Sequence, residues 1–134
     1  MATEGRTLRH DVVLDAPPQA VFDAWMDQEQ HAAFTGCEAQ IDWREGGRFT
    51  TCDERQFGYT LVLVPGRRIV QAWSHKAFPP HHYSVVTIEL EPYGTGTRLQ
   101  LTQTNVPPEA LRWLDESWRT AYWEPLKRYL REAH

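Results

Sequence analysis

Apolar and polar positions first alternate near the start of the chain, where Leu8, His10, Val12 and Leu14 share one phase of a strand. Pro17 and Pro18 end that strand, with Asp15 placed as an N-cap and proline placed to open a helix. Ala20, Val21, Ala24 and Trp25 then recur at helical spacing. Asp27 and Gln30 fit a capping box, which predicts a second short helix ending near Phe34, before Gly36. From Glu38 to Thr104 the period changes to two. Ala39, Ile41 and Trp43 share a face, Arg44-Glu45-Gly46-Gly47 turns the chain, and Phe49 and Thr51 continue on a partner strand. Phe57 to Val64 is cut by the turn dipeptide Pro65-Gly66, and Ile69, Gln71 and Trp73 alternate next. Ser84 to Glu91 and Thr97 to Thr104 flank a turn at Pro92-Tyr93-Gly94-Thr95-Gly96. These segments make about six short strands joined by hairpin-length loops, an antiparallel meander.

Pro107 and Pro108 introduce the last segment, where Leu111, Leu114, Trp118, Tyr122, Leu126 and Tyr129 recur every three or four residues. That stripe predicts one helix of roughly 22 residues and ~33 Å. Pro125 stands inside it, lacks an N–H and crowds the carbonyl of Ala121, so a kink is expected there. The order is strand, two short helices, six strands, long helix. An α+β fold, with one curved antiparallel sheet wrapped on the terminal helix, buries these stripes best. No linker, repeat or low-complexity stretch divides residues 1–134, which predicts a single domain.

Composition narrows the functional classes. With 14 Lys plus Arg against 18 Asp plus Glu, the net charge of −4 argues against nucleic-acid binding, which needs a basic stripe. The N-terminus lacks the apolar core of a signal peptide, and the longest apolar run, Leu61 to Pro65, falls far short of a membrane span. A cytosolic protein is the expectation. Cys37 and Cys52 have neither CxxC nor zinc-knuckle spacing and read as reduced, part-buried thiols. His75, His81 and His82 share a loop without a carboxylate or thiol at ligand spacing, so neither a metal nor another cofactor is implied; His10, His31 and His134 are scattered. No GxSxG elbow, HExxH helix or P-loop occurs, and Gly46-Gly47 and Gly94-Thr95-Gly96 read as hairpin glycines. The expectation is a non-enzymatic protein with no catalytic residues.

The unusual feature is aromatic: six Trp, five Tyr and five Phe. Trp25, Trp43, Trp73, Trp113 and Trp118 fall in elements that should contact the space between sheet and helix, joined by Phe34, Phe49, Tyr59, Tyr83 and Tyr122. They are either plain core or the walls of an apolar ligand pocket. Gln71 and Gln103 are polar residues in otherwise apolar strand phases. They either anchor a ligand in that pocket or bond to each other and to nearby backbone.

The chain also resembles the family of activator of heat-shock protein 90 ATPase homologues, a branch of the START-like (SRPBCC, birch-pollen-allergen-like) superfamily. The residues that carry the resemblance run in order from Phe34-Thr35-Gly36 and Gly46-Gly47-Arg48-Phe49 through Gly58, Leu63-Val64-Pro65 and Ile69-Val70-Gln71-Ala72-Trp73. They continue through His82-Tyr83-Ser84, Val86 to Leu90, Gly96-Thr97 and Leu101 to Pro107, and end in Trp118 and Tyr122 to Lys127. Ser117 stands where the family commonly has Gly. The resemblance implies a helix-grip fold and, from the wider superfamily, an apolar or aromatic small molecule in a cavity under the long helix. It also implies, as an alternative, a stress-response co-chaperone that binds heat-shock protein 90 and stimulates its ATPase. A polyketide cyclase or aromatase is the third implication. The eukaryotic activators carry an additional N-terminal domain that makes the main chaperone contact, and nothing in these 134 residues corresponds to it.

Overall fold

The structure, a computed structural model, describes residues 5–133; His134 lies outside them. Strand β1 (Arg6–Leu14) is followed by helices α1 (Pro18–Met26) and α2 (Gln28–Thr35). Six strands come next: β2 (Gln40–Ile41), β3 (Arg48–Thr51), β4 (Gln56–Val64), β5 (Arg68–His75), β6 (Ser84–Tyr93) and β7 (Gly96–Val106). They form one antiparallel sheet in the order β1-β7-β6-β5-β4-β3-β2. The chain then makes a short 3₁₀ turn at Pro108–Ala110 and continues as α3 (Leu111–Ser117), a π-helical stretch (Trp118–Trp123) and α4 (Glu124–Ala133). This is the expected α+β helix-grip arrangement.

Period-two phasing places Leu8, Val12, Leu14, Ile69, Trp73, Val86, Ile88, Leu90, Leu99 and Leu101 in one buried layer. The helices close that layer with Val21, Phe22, Trp25, Phe34, Leu114, Trp118, Tyr122, Leu126 and Leu130. Apolar burial on this scale is the main favourable term in folding.

One local expectation changes at the start of α1, while the next helix and the hairpins keep theirs. Asp15 does not cap α1. Pro17 occupies the cap position without a side-chain bond, and Pro18 begins the helix. Asp27 does cap α2, accepting from the Glu29 N–H at 3.1 Å, and Gly36 ends it at a φ of 77°. Among the hairpin glycines, Gly46 and Gly94 take positive φ, whereas Gly47 and Gly96 lie against carbonyl oxygens of Asp42 and Leu14.

The largest difference lies in the terminal helix. Just before Pro125, where a kink is expected, the helix widens into a π turn, and the Glu124 N–H reaches the Arg119 carbonyl, five residues back. Residues five apart would diverge by about 140° around an α-helix. The wider π turn brings Trp118 and Trp123 onto one face, their rings 5.6 Å apart and within 16° of parallel. Both indoles and the Tyr122 ring enter the core.

Gly58 bears on how closely the strands approach. A Cβ there would overlap the Ala72 carbonyl oxygen and press on the Phe49 ring at 3.1 Å. The sheet backbone cannot yield locally without breaking its ladder. Gly58→Ala should therefore cost about 2–4 kcal/mol. A urea midpoint close to the parent's would contradict this account of the β4–β5 approach.

Candidate functional site

The helices present aromatic rings to the sheet, and the sheet answers with polar side chains. Trp25 Nε1 donates to Gln71 Oε1 at 3.4 Å, and Gln71 Nε2 donates to Thr60 Oγ1 at 3.2 Å. Trp118 Nε1 donates to Gln103 Oε1 at 2.9 Å. Gln103 in turn donates to Ser84 Oγ at 2.9 Å, and that hydroxyl donates to the Trp73 carbonyl at 2.7 Å. Gln71 and Gln103 thus bond neither to each other nor chiefly to backbone; they serve indole N–H groups from the opposing layer. Among the described residues, no buried side-chain nitrogen or oxygen lacks a partner.

Two histidines read as scattered in the sequence belong to this network. Trp123 Nε1 donates to His10 Nδ1 at 3.0 Å, which requires the proton on Nε2. His10 Nε2 then donates to Asp115 Oδ1 at 2.9 Å, and Asp115 also accepts from Arg119 at 2.6 Å. A carboxylate behind an imidazole is half of a catalytic relay. Here an indole stands where a nucleophile would be, so the pair orients Trp123.

His31 is the second. Its Nδ1 donates to the Trp25 carbonyl at 2.9 Å, and its Nε2 faces the Tyr122 hydroxyl at 2.9 Å. That hydroxyl also lies 2.8 Å from Gln56 Oε1, so one phenol proton serves two acceptors. Thr51 Oγ1 donates to the same Gln56 oxygen at 2.7 Å. Burial holds the His31 imidazole down to about 4, and the Trp25 carbonyl only partly offsets it. Burial also keeps the Tyr122 phenol well above its usual range.

Trp25, Trp73, Trp118 and Tyr122 come together with Gln71 and Gln103, as their phases predict. Trp25 stacks on Trp118 at 6.1 Å, and Trp118 lies 5.6 Å from Trp73 and 4.9 Å from Tyr122. Trp43, Tyr59, Tyr83 and Trp113 do not join them; they are 46%, 40%, 36% and 37% exposed. Strand β2 ends at Ile41, so Trp43 lies beyond the paired strand, just before the turn, with its ring 6.3 Å from that of Phe22. Tyr59 occupies the outward phase between inward Gly58 and Thr60, and Tyr83 precedes β6.

The hollow expected beneath the helix is correspondingly small. Trp25, His31, Ile41, Phe49, Thr51, Gln71, Trp73 and Tyr122 surround a cavity of about 10 Å³. That is about the space one water needs. Rings from both layers occupy the remainder.

Outside, the sheet carries an apolar strip. Tyr59 pairs with Ala72 and Ala72 with Val85, while Tyr83 meets Phe57 edge-on at 6.2 Å. The Arg48 guanidinium lies 5.7 Å from the Tyr59 ring centre. Among the described residues, no group of three or more His, Cys, Asp or Glu could hold a metal ion, and no helix is long and apolar enough to cross a membrane.

A curved seven-stranded sheet gripping a C-terminal helix defines a START-like domain. The family described as Activator of Hsp90 ATPase homolog 1-like protein matches residues 15–131, and the chain belongs to it. The human activator of 90 kDa heat shock protein ATPase homolog 1 is 26% identical over 111 residues, covering 83% of this chain and 33% of that protein. The chain thus spans about a third of the length of the curated relatives it matches. CalU16 from Micromonospora echinospora superposes with a TM-score of 0.80 at 26% identity, over 94% of this chain and 76% of that one. An Hsp90 activator from Plasmodium falciparum shares the fold with a TM-score of 0.76 at 21% identity, covering 91% of each chain.

Two measurements test the network. Gln103→Leu leaves the Trp118 indole N–H buried without its acceptor and should destabilise by about 1–3 kcal/mol; no change in denaturation midpoint would remove Gln103 from this role. His31 supplies a pH signature. An unfolded chain protonates it near its ordinary value of 6.5, the folded chain only near 4, so the unfolded form binds more protons between them. The His31 contribution is complete above 6.5 and is lost as pH falls toward 4. From pH 7 to 4.5 the loss should be about 2.5 kcal/mol beyond that of His31→Gln. Parallel stability curves for the two proteins would contradict a neutral, buried His31.

Proposed function

We propose that this chain is a non-enzymatic, co-chaperone-like domain that binds an Hsp90-type chaperone through its outer surface and stimulates its ATPase. The carrying observation is the family match across residues 15–131 in a molecule whose interior is filled by its own side chains. The names of the human relative and of the Plasmodium falciparum structure describe activators of that chaperone class. An apolar ligand beneath the helix would have to displace Trp25, Trp118 or Tyr122 and leave paired N–H and O–H groups unserved. The geometry therefore favours the exterior. The strip of Phe57, Tyr59, Tyr83 and Val85 beside Arg48 supplies an apolar centre with a cation at its rim.

The test is the ATPase rate of an Hsp90-type chaperone titrated with this chain, together with direct binding. A saturable rise in rate is expected. Tyr59→Glu with Val85→Glu should weaken binding by about tenfold or more while the denaturation midpoint stays near the parent's. An unchanged rate with no detectable binding would overturn the proposal. Full affinity in the double variant would move the docking face elsewhere.

A further inference from the structure

Cys37 and Cys52 sit where two chain segments are already tied together. Cys37 follows Gly36, the left-handed residue that ends α2. Cys52 follows β3 and opens a run of three non-glycine residues at positive φ: Cys52 at 52°, Asp53 at 58° and Glu54 at 68°. Left-handed backbone is uncommon for such residues and persists only when the surroundings hold it. The holding contacts are visible. The Asp53 N–H donates to the Glu38 carbonyl at 3.2 Å, and the Glu38 N–H donates to Asp53 Oδ1 at 2.9 Å.

These bonds join the residue after each cysteine and hold the two cysteine-bearing segments against one another. The two thiols are near neighbours, and both are free and half-buried. Inward, Cys52 lies near the Tyr122 hydroxyl at the edge of the aromatic network. Arg55 places a cation beside the pair, donating from Nε to the Cys52 carbonyl at 3.3 Å. In the sequence the two cysteines looked unrelated because neither spacing nor a shared motif joins them. The fold brings them together.

We propose that Cys37 and Cys52 form a reversible intramolecular disulfide by exchange with a small oxidised disulfide such as glutathione disulfide. The Cys37 thiolate attacks one sulfur of the oxidant, making a mixed disulfide and releasing one glutathione thiolate. Cys52 then attacks the Cys37 sulfur, a second glutathione thiolate leaves, and the Cys52 proton passes to it. Two protein thiols are oxidised, and the oxidant is reduced to two molecules of glutathione. The order of roles follows from environment: burial, with Cys37 alongside, pushes the Cys52 thiol up to about 12, which suits it poorly to begin the exchange. Once Cys37 carries glutathione, the attack by Cys52 is intramolecular and pre-aligned. The product would staple the end of α2 to the end of β3, next to Tyr122.

The test is intact-mass analysis and peptide mapping of the folded chain incubated with glutathione disulfide. The wild type should lose two hydrogens, yield a single Cys37–Cys52 linked peptide and return to its starting mass with dithiothreitol. Cys52→Ser should accumulate one glutathione adduct on Cys37, and Cys37→Ser should react about tenfold more slowly or less. A wild type that ends with glutathione on both residues, or as intermolecular dimers, would overturn the disulfide. So would a wild type that stays reduced while Cys52→Ser takes up glutathione. Equal reactivity of the two single variants would overturn the assigned order.

Discussion

Burying a tryptophan or tyrosine ring also buries an N–H or O–H that water no longer reaches, and the rest of this structure depends on meeting that requirement. Trp25, Trp118, Tyr122 and Trp123 bring four such donors from the helical layer, and Gln71, Gln103, Gln56 and His10 receive them on the sheet. Each bond is modest alone, but an unmet donor in this interior costs more than a met one contributes. The pairs therefore fix the register of helices against sheet, which apolar packing by itself leaves loose. The π turn serves the same end, because Trp118 and Trp123 cannot both face inward from a regular α-helix.

The same packing decides where function can reside. A sheet curved around a helix provides a natural hollow, but the rings here meet across it and leave room for about one water. Opening it would separate stacked rings and strip donors from acceptors together. The proposed recognition therefore lies outside, where the apolar strip on the sheet is uncovered. Membership of a family named for chaperone ATPase activation fits a domain that works through its surface.

Much of the architecture was legible in the sequence because strand and helix periods are local. The strand–helix–helix–six-strand–helix order, and the inward phase of Trp25, Trp73, Trp118 and Tyr122, followed from spacing alone. The polar partners did not, since the pairs join residues 15 to 113 positions apart. Gln71 and Gln103 could be recognised as polar residues needing partners, yet not as acceptors for particular indoles. His31 carried no periodic signal that separated it from a surface histidine, and His10 shared the strand phase of Leu8, Val12 and Leu14 without any sign that Trp123 would be its partner. Trp43 and Tyr59 were misplaced for different reasons: a strand that stopped early and a strand face whose inward phase belongs to Gly58 and Thr60. Trp123 was out of helical phase until the π turn changed the period.

The central claim is that the space beneath the terminal helix is closed by paired rings. Hydrogen exchange at the individual tryptophan indole N–H groups, followed by NMR, tests it most directly. The account predicts that the Trp25, Trp118 and Trp123 indoles exchange only through global unfolding, with the denaturant dependence of the slowest core amides. Trp43 and Trp113, on the surface, should exchange rapidly. Fast exchange at Trp25 and Trp118 in the folded protein would show a hydrated, open cavity and contradict the account.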